Sequence, residues 1–144
     1  MLIAPGGFLY LSSYIIENKA EYYKLLHRTN TTDEWEDWIL FILKAIEKTA
    51  IKTIEKISSI RKSLDATIEK AQLNAPKIYR KELVELLFEQ PYAKIDFVVN
   101  QLQVERKAAS RYLKELERIG ILKSQKIGRE TLYINIELVE ILKL

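Results

Sequence analysis

Lys107, Ser110, Arg111 and Lys114 fall at i, i+3, i+4 and i+7, the spacing that gathers side chains on one face of a helix. Arg106 stands one residue before them, and Lys126 and Arg129 flank Gly128 further on. Guanidinium and ammonium groups on such a face donate to phosphate oxygens or guanine edges, and a serine hydroxyl can contact either. The chemistry is that of holding a polyanion. Bond-making chemistry has far less to draw on. With no cysteine in 144 residues, disulfides, thiolate metal sites and cysteine nucleophiles are excluded. His27 is the only histidine. Glu34 with Asp37, and Glu36 with Asp37, stand at a helix start where capping explains them, and no histidine or second acidic cluster completes a metal site. The residues therefore predict no catalytic group, no metal and no cofactor.

Charge follows the same division. The net charge is +3, yet up to Ala75 ten Lys and Arg balance ten Asp and Glu, so the excess lies C-terminally. From Glu105 to Arg129 eight cations (Arg106, Lys107, Arg111, Lys114, Arg118, Lys123, Lys126, Arg129) face only Glu105, Glu115 and Glu117, a local +5. Such a field suits DNA, where neutralised phosphates release counterions.

The elements that must position these residues read as a winged helix-turn-helix. Tyr79 to Phe88 forms a supporting helix with Leu83, Leu86 and Leu87 on one face; Gln90-Pro91-Tyr92 breaks the chain, and Ile95 to Leu102 forms the next helix. Gln103-Val104 is the turn. From Glu105 to Ile119 a third helix buries Ala109, Tyr112, Leu113, Leu116 and Ile119 and turns its cations outward, as a major-groove recognition helix must. Gly120 is a C-cap, Ile121 to Ile127 a strand, Gly128-Arg129 a turn, and Glu130 to Asn135 the returning strand, so Lys126 and Arg129 sit on the wing tip. A last helix is expected from Glu137 to Leu144. Two positions fit less well. Gln103 occupies a turn position that favours glycine, and Glu105 is a poorer cap than Ser or Thr.

Before this block lies another, and Asn74 and Pro76 mark the break between them, giving expected domains 1–74 and 75–144. The first block opens irregularly at Pro5-Gly6-Gly7, then places an aromatic-rich helix at about Ser13 to Arg28, ended by Thr29-Asn30-Thr31-Thr32. A long helix is expected from about Asp33 to Leu73, with Thr31/Glu34 or Asp33/Glu36 as its capping box. Its apolar stripe runs Trp35, Ile39, Ile42, Leu43, Ile46, Ala50, Ile54, Ile57, Ile60, Leu64, Ile68 and Ala71. Trp35 and Trp38 read as packing. A helix of roughly 60 Å is more than a small domain covers by itself, so part of the stripe needs a partner, and self-association as a homodimer is expected. The fold class is thus mainly α, a helical block with one long helix followed by three helices and a β-hairpin. The start lacks the pattern of a signal peptide and no apolar run approaches bilayer length, which points to a cytoplasmic protein without membrane contact.

In the first block, Phe8-Leu9-Tyr10-Leu11-Ser12-Ser13-Tyr14, Asn18-Lys19, Glu21-Tyr22-Tyr23 and Asp33-Glu34-Trp35-Glu36-Asp37-Trp38, joined by Val104 to Leu122 in the second, resemble a Fic-family protein. The likeness is to the stretch that follows the catalytic loop in members with a C-terminal winged helix, and it covers most of the chain. Members of that family transfer AMP from ATP to a protein hydroxyl, with a His in a loop of the form HPFxxGNGRxxR. Around His27 the sequence is Leu25-Leu26-His27-Arg28-Thr29, with no Gly-rich nest of N–H groups for phosphates, no following Asn and no paired Arg. The resemblance therefore implies the C-terminal piece of such a protein, without the catalytic loop and without the upstream inhibitory Glu, acting as a regulatory module. Ala4-Pro5-Gly6-Gly7 departs from the family's smoother approach to this segment, implying a truncated gene or an artificial boundary. Tyr10 and Tyr14 could line the remnant of a nucleotide pocket, but no nucleotide site is assigned to them. The expected partners are double-stranded DNA and a second copy of the chain, with no small-molecule substrate. A protein-interaction or dimerisation module without DNA binding is the alternative.

Overall fold

The computed structural model describes residues 11–32 and 34–143. The expectations for Phe8, Leu9, Tyr10, residues 4–7, Asp33 and Leu144 lie outside the described residues. The chain forms two compact units, one up to Ile57 and the other from Ser58 onward.

In the first unit, the expected single helix is two: α1 (Leu11–Glu17) and α2 (Lys19–Thr32). Asn18 separates them and its side-chain amide donates to the Tyr14 carbonyl at 2.9 Å. The threonines expected to end α2 stay inside it, because Thr31 and Thr32 hydroxyls donate back to the His27 and Arg28 carbonyls, each at 2.9 Å. α3 (Glu36–Asn74) is the long helix. The Thr31/Glu34 capping box does not form, since Glu34 and Asp37 both accept from the Arg28 guanidinium, at 3.0 Å and 2.7 Å. That guanidinium holds the Glu34 carboxyl below its ordinary range.

The face that α3 buries in this unit carries Phe41, Ala45 and Thr49. Tyr14 and Tyr22 lie against Phe41, with ring centroids 5.7 Å and 6.0 Å away. Small residues on α3 make room for those rings, and the buried Thr49 hydroxyl is satisfied by the Ala45 carbonyl at 2.7 Å. Tyr14 is therefore a packing residue. Trp35 and Trp38 meet edge to face at 6.1 Å.

The second unit takes in the last stretch of α3 and everything after Pro76. It continues with α4 (Lys81–Glu89), β1 (Tyr92–Ala93), α5 (Ile95–Leu102), α6 (Arg106–Arg118), β2 (Leu122–Ile127), β3 (Glu130–Asn135) and α7 (Ile136–Lys143). Leu83, Val84, Leu86 and Leu87 of α4, Val98 of α5, and Ala109, Leu113 and Leu116 of α6 close one core with Ile121, Leu122, Tyr133 and Ala71. The strands form an antiparallel sheet in the order β1-β3-β2, with Tyr92 opposite Ile134 and Lys126 opposite Thr131. β1 was not expected: a two-residue strand after Pro91 becomes one only by pairing with β3. Asn135, buried where β3 meets α7, donates to the Leu87 carbonyl and accepts from the Leu138 amide, both at 3.1 Å.

Candidate nucleic-acid interface

Three devices fix α6. At its C-terminus Gly120 adopts φ +73°, and the Ile121 and Gly120 amides donate to the Leu116 and Glu117 carbonyls at 3.0 Å and 2.9 Å. This is a Schellman close, which needs a residue free of Cβ strain at that position. Lys70 of α3 then donates to the Gly120 carbonyl at 3.2 Å. Along its length, Ala109, Leu113 and Leu116 anchor it in the core. At its start the turn into the helix runs through Gln103, which takes the left-handed conformation (φ 50°, ψ 47°) that its glycine-like position demands. Glu105 stands at the N-cap without a side-chain capping bond, so both weaknesses read from the sequence are present as expected.

Those anchors leave the outer face free. Lys107, Ser110, Arg111 and Lys114 line one open groove of about 460 Å³, together with Glu115 and Arg118. Among the described residues Lys107 and Lys114 have no ion-pair partner. The Arg111 guanidinium, on an exposed residue, lies 5.7 Å from the ring of Tyr112, a cation–π contact. Ser110 is half-buried between them. Arg118 contributes less charge to the groove than its position suggests: it is paired with Glu115 at 2.7 Å and also donates to the Asn74 carbonyl at 3.3 Å. Hydrogen bonding to Arg118 in turn holds the Glu115 carboxyl below its ordinary range.

Arg106 stands apart from the other expected contacts. It is the first residue of α6 and is ion-paired with Asp96 in the first turn of α5, a partner ten residues away that helix periodicity could not reveal. Lys94, just before α5, pairs with Glu130 at the start of β3. Lys126 and Arg129 are exposed around Gly128, whose φ of +61° makes the hairpin turn. Neither has an ion-pair partner among the described residues. The wing is tied to α6 by Glu117, which accepts the Ser124 amide of β2 at 2.8 Å. The Ser124 hydroxyl and amide together hold the Glu117 carboxyl below its ordinary value.

For other chemistry the described residues offer little. No group of three metal-binding side chains occurs among them. His27 is exposed on α2. No described helix is long and apolar enough to cross a membrane.

Three helices, a left-handed turn before the third, and a hairpin paired with a short strand define the second unit as a winged helix-turn-helix. The family described as "Protein adenylyltransferase SoFic-like, C-terminal domain" matches residues 64–138, more than half of the chain. The chain belongs to that family, and the match covers the end of α3, the recognition-type helix, the wing and the start of α7.

Proposed function

We propose that the winged helix binds double-stranded DNA and serves as the regulatory C-terminal module of a Fic-family protein in the cytoplasm. In this reading α6 enters the major groove, Lys107, Ser110, Arg111 and Lys114 reach base edges and phosphates, and Lys126 and Arg129 hold the backbone from the wing tip. Arg106 adds less, because Asp96 already takes its guanidinium. The observation that carries the proposal is the segregation on α6: one face is locked into the core while the other gathers Lys107, Arg111 and Lys114 in one groove with Ser110 and the Glu115–Arg118 pair. Solvated surface charge explains single lysines, but not a continuous groove of them on the helix that the fold presents. The test is duplex binding in low salt. Arg111→Ala and Arg129→Ala weaken it, Arg106→Ala does so less, and undetectable or salt-independent binding of the wild type overturns the reading.

No adenylyl transfer is assigned to these 144 residues, since the sequence contains no HPFxxGNGR loop to hold ATP phosphates. Incorporation of labelled AMP by the purified chain would reverse that assignment. A second reading, a module for protein contact and dimerisation, draws on α3, where large apolar side chains lie exposed. The two readings are compatible.

A further inference from the structure

The groove on α6 has a one-sided hydrogen-bonding character that narrows what it can read. Its lining offers Lys107, Ser110, Arg111, Lys114 and Arg118 as donors and a single carboxylate, Glu115, with no asparagine or glutamine among them. Glu115 is already engaged, since Nε and Nη2 of Arg118 both donate to its Oε1, at 3.0 Å and 2.7 Å. The Ser110 hydroxyl donates and accepts equally well, so it expresses no preference by itself. What the groove lacks is a free acceptor.

In the major groove of DNA that lack is selective. Guanine shows two acceptors there, N7 and O6, whereas cytosine shows its N4 amino donor and adenine an N6 amino donor beside N7. Thymine offers O4 next to a methyl group. An amino donor is matched by a carboxylate or by the amide oxygen of Asn or Gln, and the groove has neither to spare. Guanine is the base whose whole edge these side chains satisfy.

Position along the helix then separates the cations. Lys107 is the second residue of α6 and is exposed, and the first residues of a recognition helix are those laid over base edges. Arg106, one residue earlier, is held by Asp96 and does not line the groove. Arg111 and Lys114 stand about 6 Å and about 10 Å further along the axis, toward the groove wall and its phosphates. Resting on the DNA reading above, we propose that the preferred site is marked by a guanine whose N7 and O6 are read by Lys107, while Arg111 and Lys114 hold phosphates.

The test uses the full chain and duplexes that differ by single groups. Selection from a random-sequence duplex library in low salt enriches a G·C pair at a fixed position. Replacing the selected guanine by 7-deazaguanine, which lacks the N7 acceptor, lowers affinity on the order of tenfold. Inosine, which lacks only the minor-groove amino group of guanine, leaves affinity unchanged. Lys107→Ala abolishes the difference between guanine and 7-deazaguanine, whereas Lys114→Ala weakens both duplexes equally and keeps it. Enrichment of A·T pairs, or binding without base preference, overturns the guanine assignment and leaves DNA binding standing. So does a G·C preference indifferent to 7-deazaguanine, which would move the contact to cytosine and to Glu105 at the N-cap. A guanine preference that survives Lys107→Ala overturns the role of that lysine. No binding to any duplex overturns this inference and the DNA reading together.

Discussion

Replacing Arg111 by Ala should change how steeply DNA binding depends on salt. Five cations face outward from α6 and the wing tip without an ion-pair partner among the described residues: Lys107, Arg111, Lys114, Lys126 and Arg129. Arg106 and Arg118 are left out of the count because Asp96 and Glu115 already neutralise them. If each of the five displaces one condensed counterion, the slope of log K against log salt is about −4.5, and affinity falls roughly 500-fold between 50 and 200 mM salt. Arg111→Ala brings the slope to about −3.6 and the same interval to roughly 150-fold. Fluorescence anisotropy of a labelled duplex, titrated at five or more KCl concentrations, measures both slopes. Lys143→Ala, on a lysine already paired with Glu140 on α7, serves as the control and leaves the slope unchanged. A wild-type slope shallower than about −1, or an Arg111 variant that weakens binding without changing the slope, refutes the assignment of this face to phosphate contact.

Gln103→Gly relieves a left-handed non-glycine residue; urea unfolding should show a gain of about 1 kcal/mol, and a loss would mean the bond from Gln103 Nε2 to the Asn100 carbonyl outweighs the strain. Asn135→Ala removes two buried hydrogen bonds, one of them to the first turn of α7, and should cost about 2 kcal/mol; a cost under about 0.5 kcal/mol would show that neither bond matters. Glu117 has a folded-state pKa below its ordinary value of 4.5, so the stabilisation it gives is complete above that value and is lost as pH falls through the lower folded-state one. Acid titration of amide signals in β2 should therefore show the wing loosening in that range for the wild type, and Glu117→Gln should remove this acid-dependent step. An identical acid profile in the two proteins would place the wing's anchor elsewhere.

The helix-turn-helix was legible because its signals are local. Gly120 ends α6, Gly128 turns the hairpin, and the apolar positions of α6 recur at helical spacing, so each feature could be read within a few residues of itself. What escaped depends on partners distant in sequence. β1 exists only through Tyr133 and Ile134, some forty residues on. The Arg106–Asp96 pair joins two helices across the turn. On α3 the difficulty was of another kind: steps of three and four fit more than one face. The large isoleucines marked one apolar stripe, part of which was expected to need a partner, whereas the rings of Tyr14 and Tyr22 needed the side where Ala45 and Thr49 leave space. A threonine satisfied by its own helix is as buriable as alanine, so polar spelling hid the buried face.

The features that fit α6 least well are concentrated at one end. Gln103 is strained, Glu105 offers no capping bond, and Arg106 is tied sideways to Asp96, all within the approach to the first turn. The opposite end is closed by the Schellman turn, Lys70 and the core. Stability alone would favour glycine at 103 and serine at 105, and local rules are most often broken where a site has another use for the residues. An uncapped helix start leaves backbone N–H groups and the positive end of the dipole free for an anion, and a DNA phosphate is the anion that the proposed docking brings there. Under that reading Arg106 stays with Asp96 at the edge of the site, and the strain at the start of α6 and the cations along its face belong to the same interface.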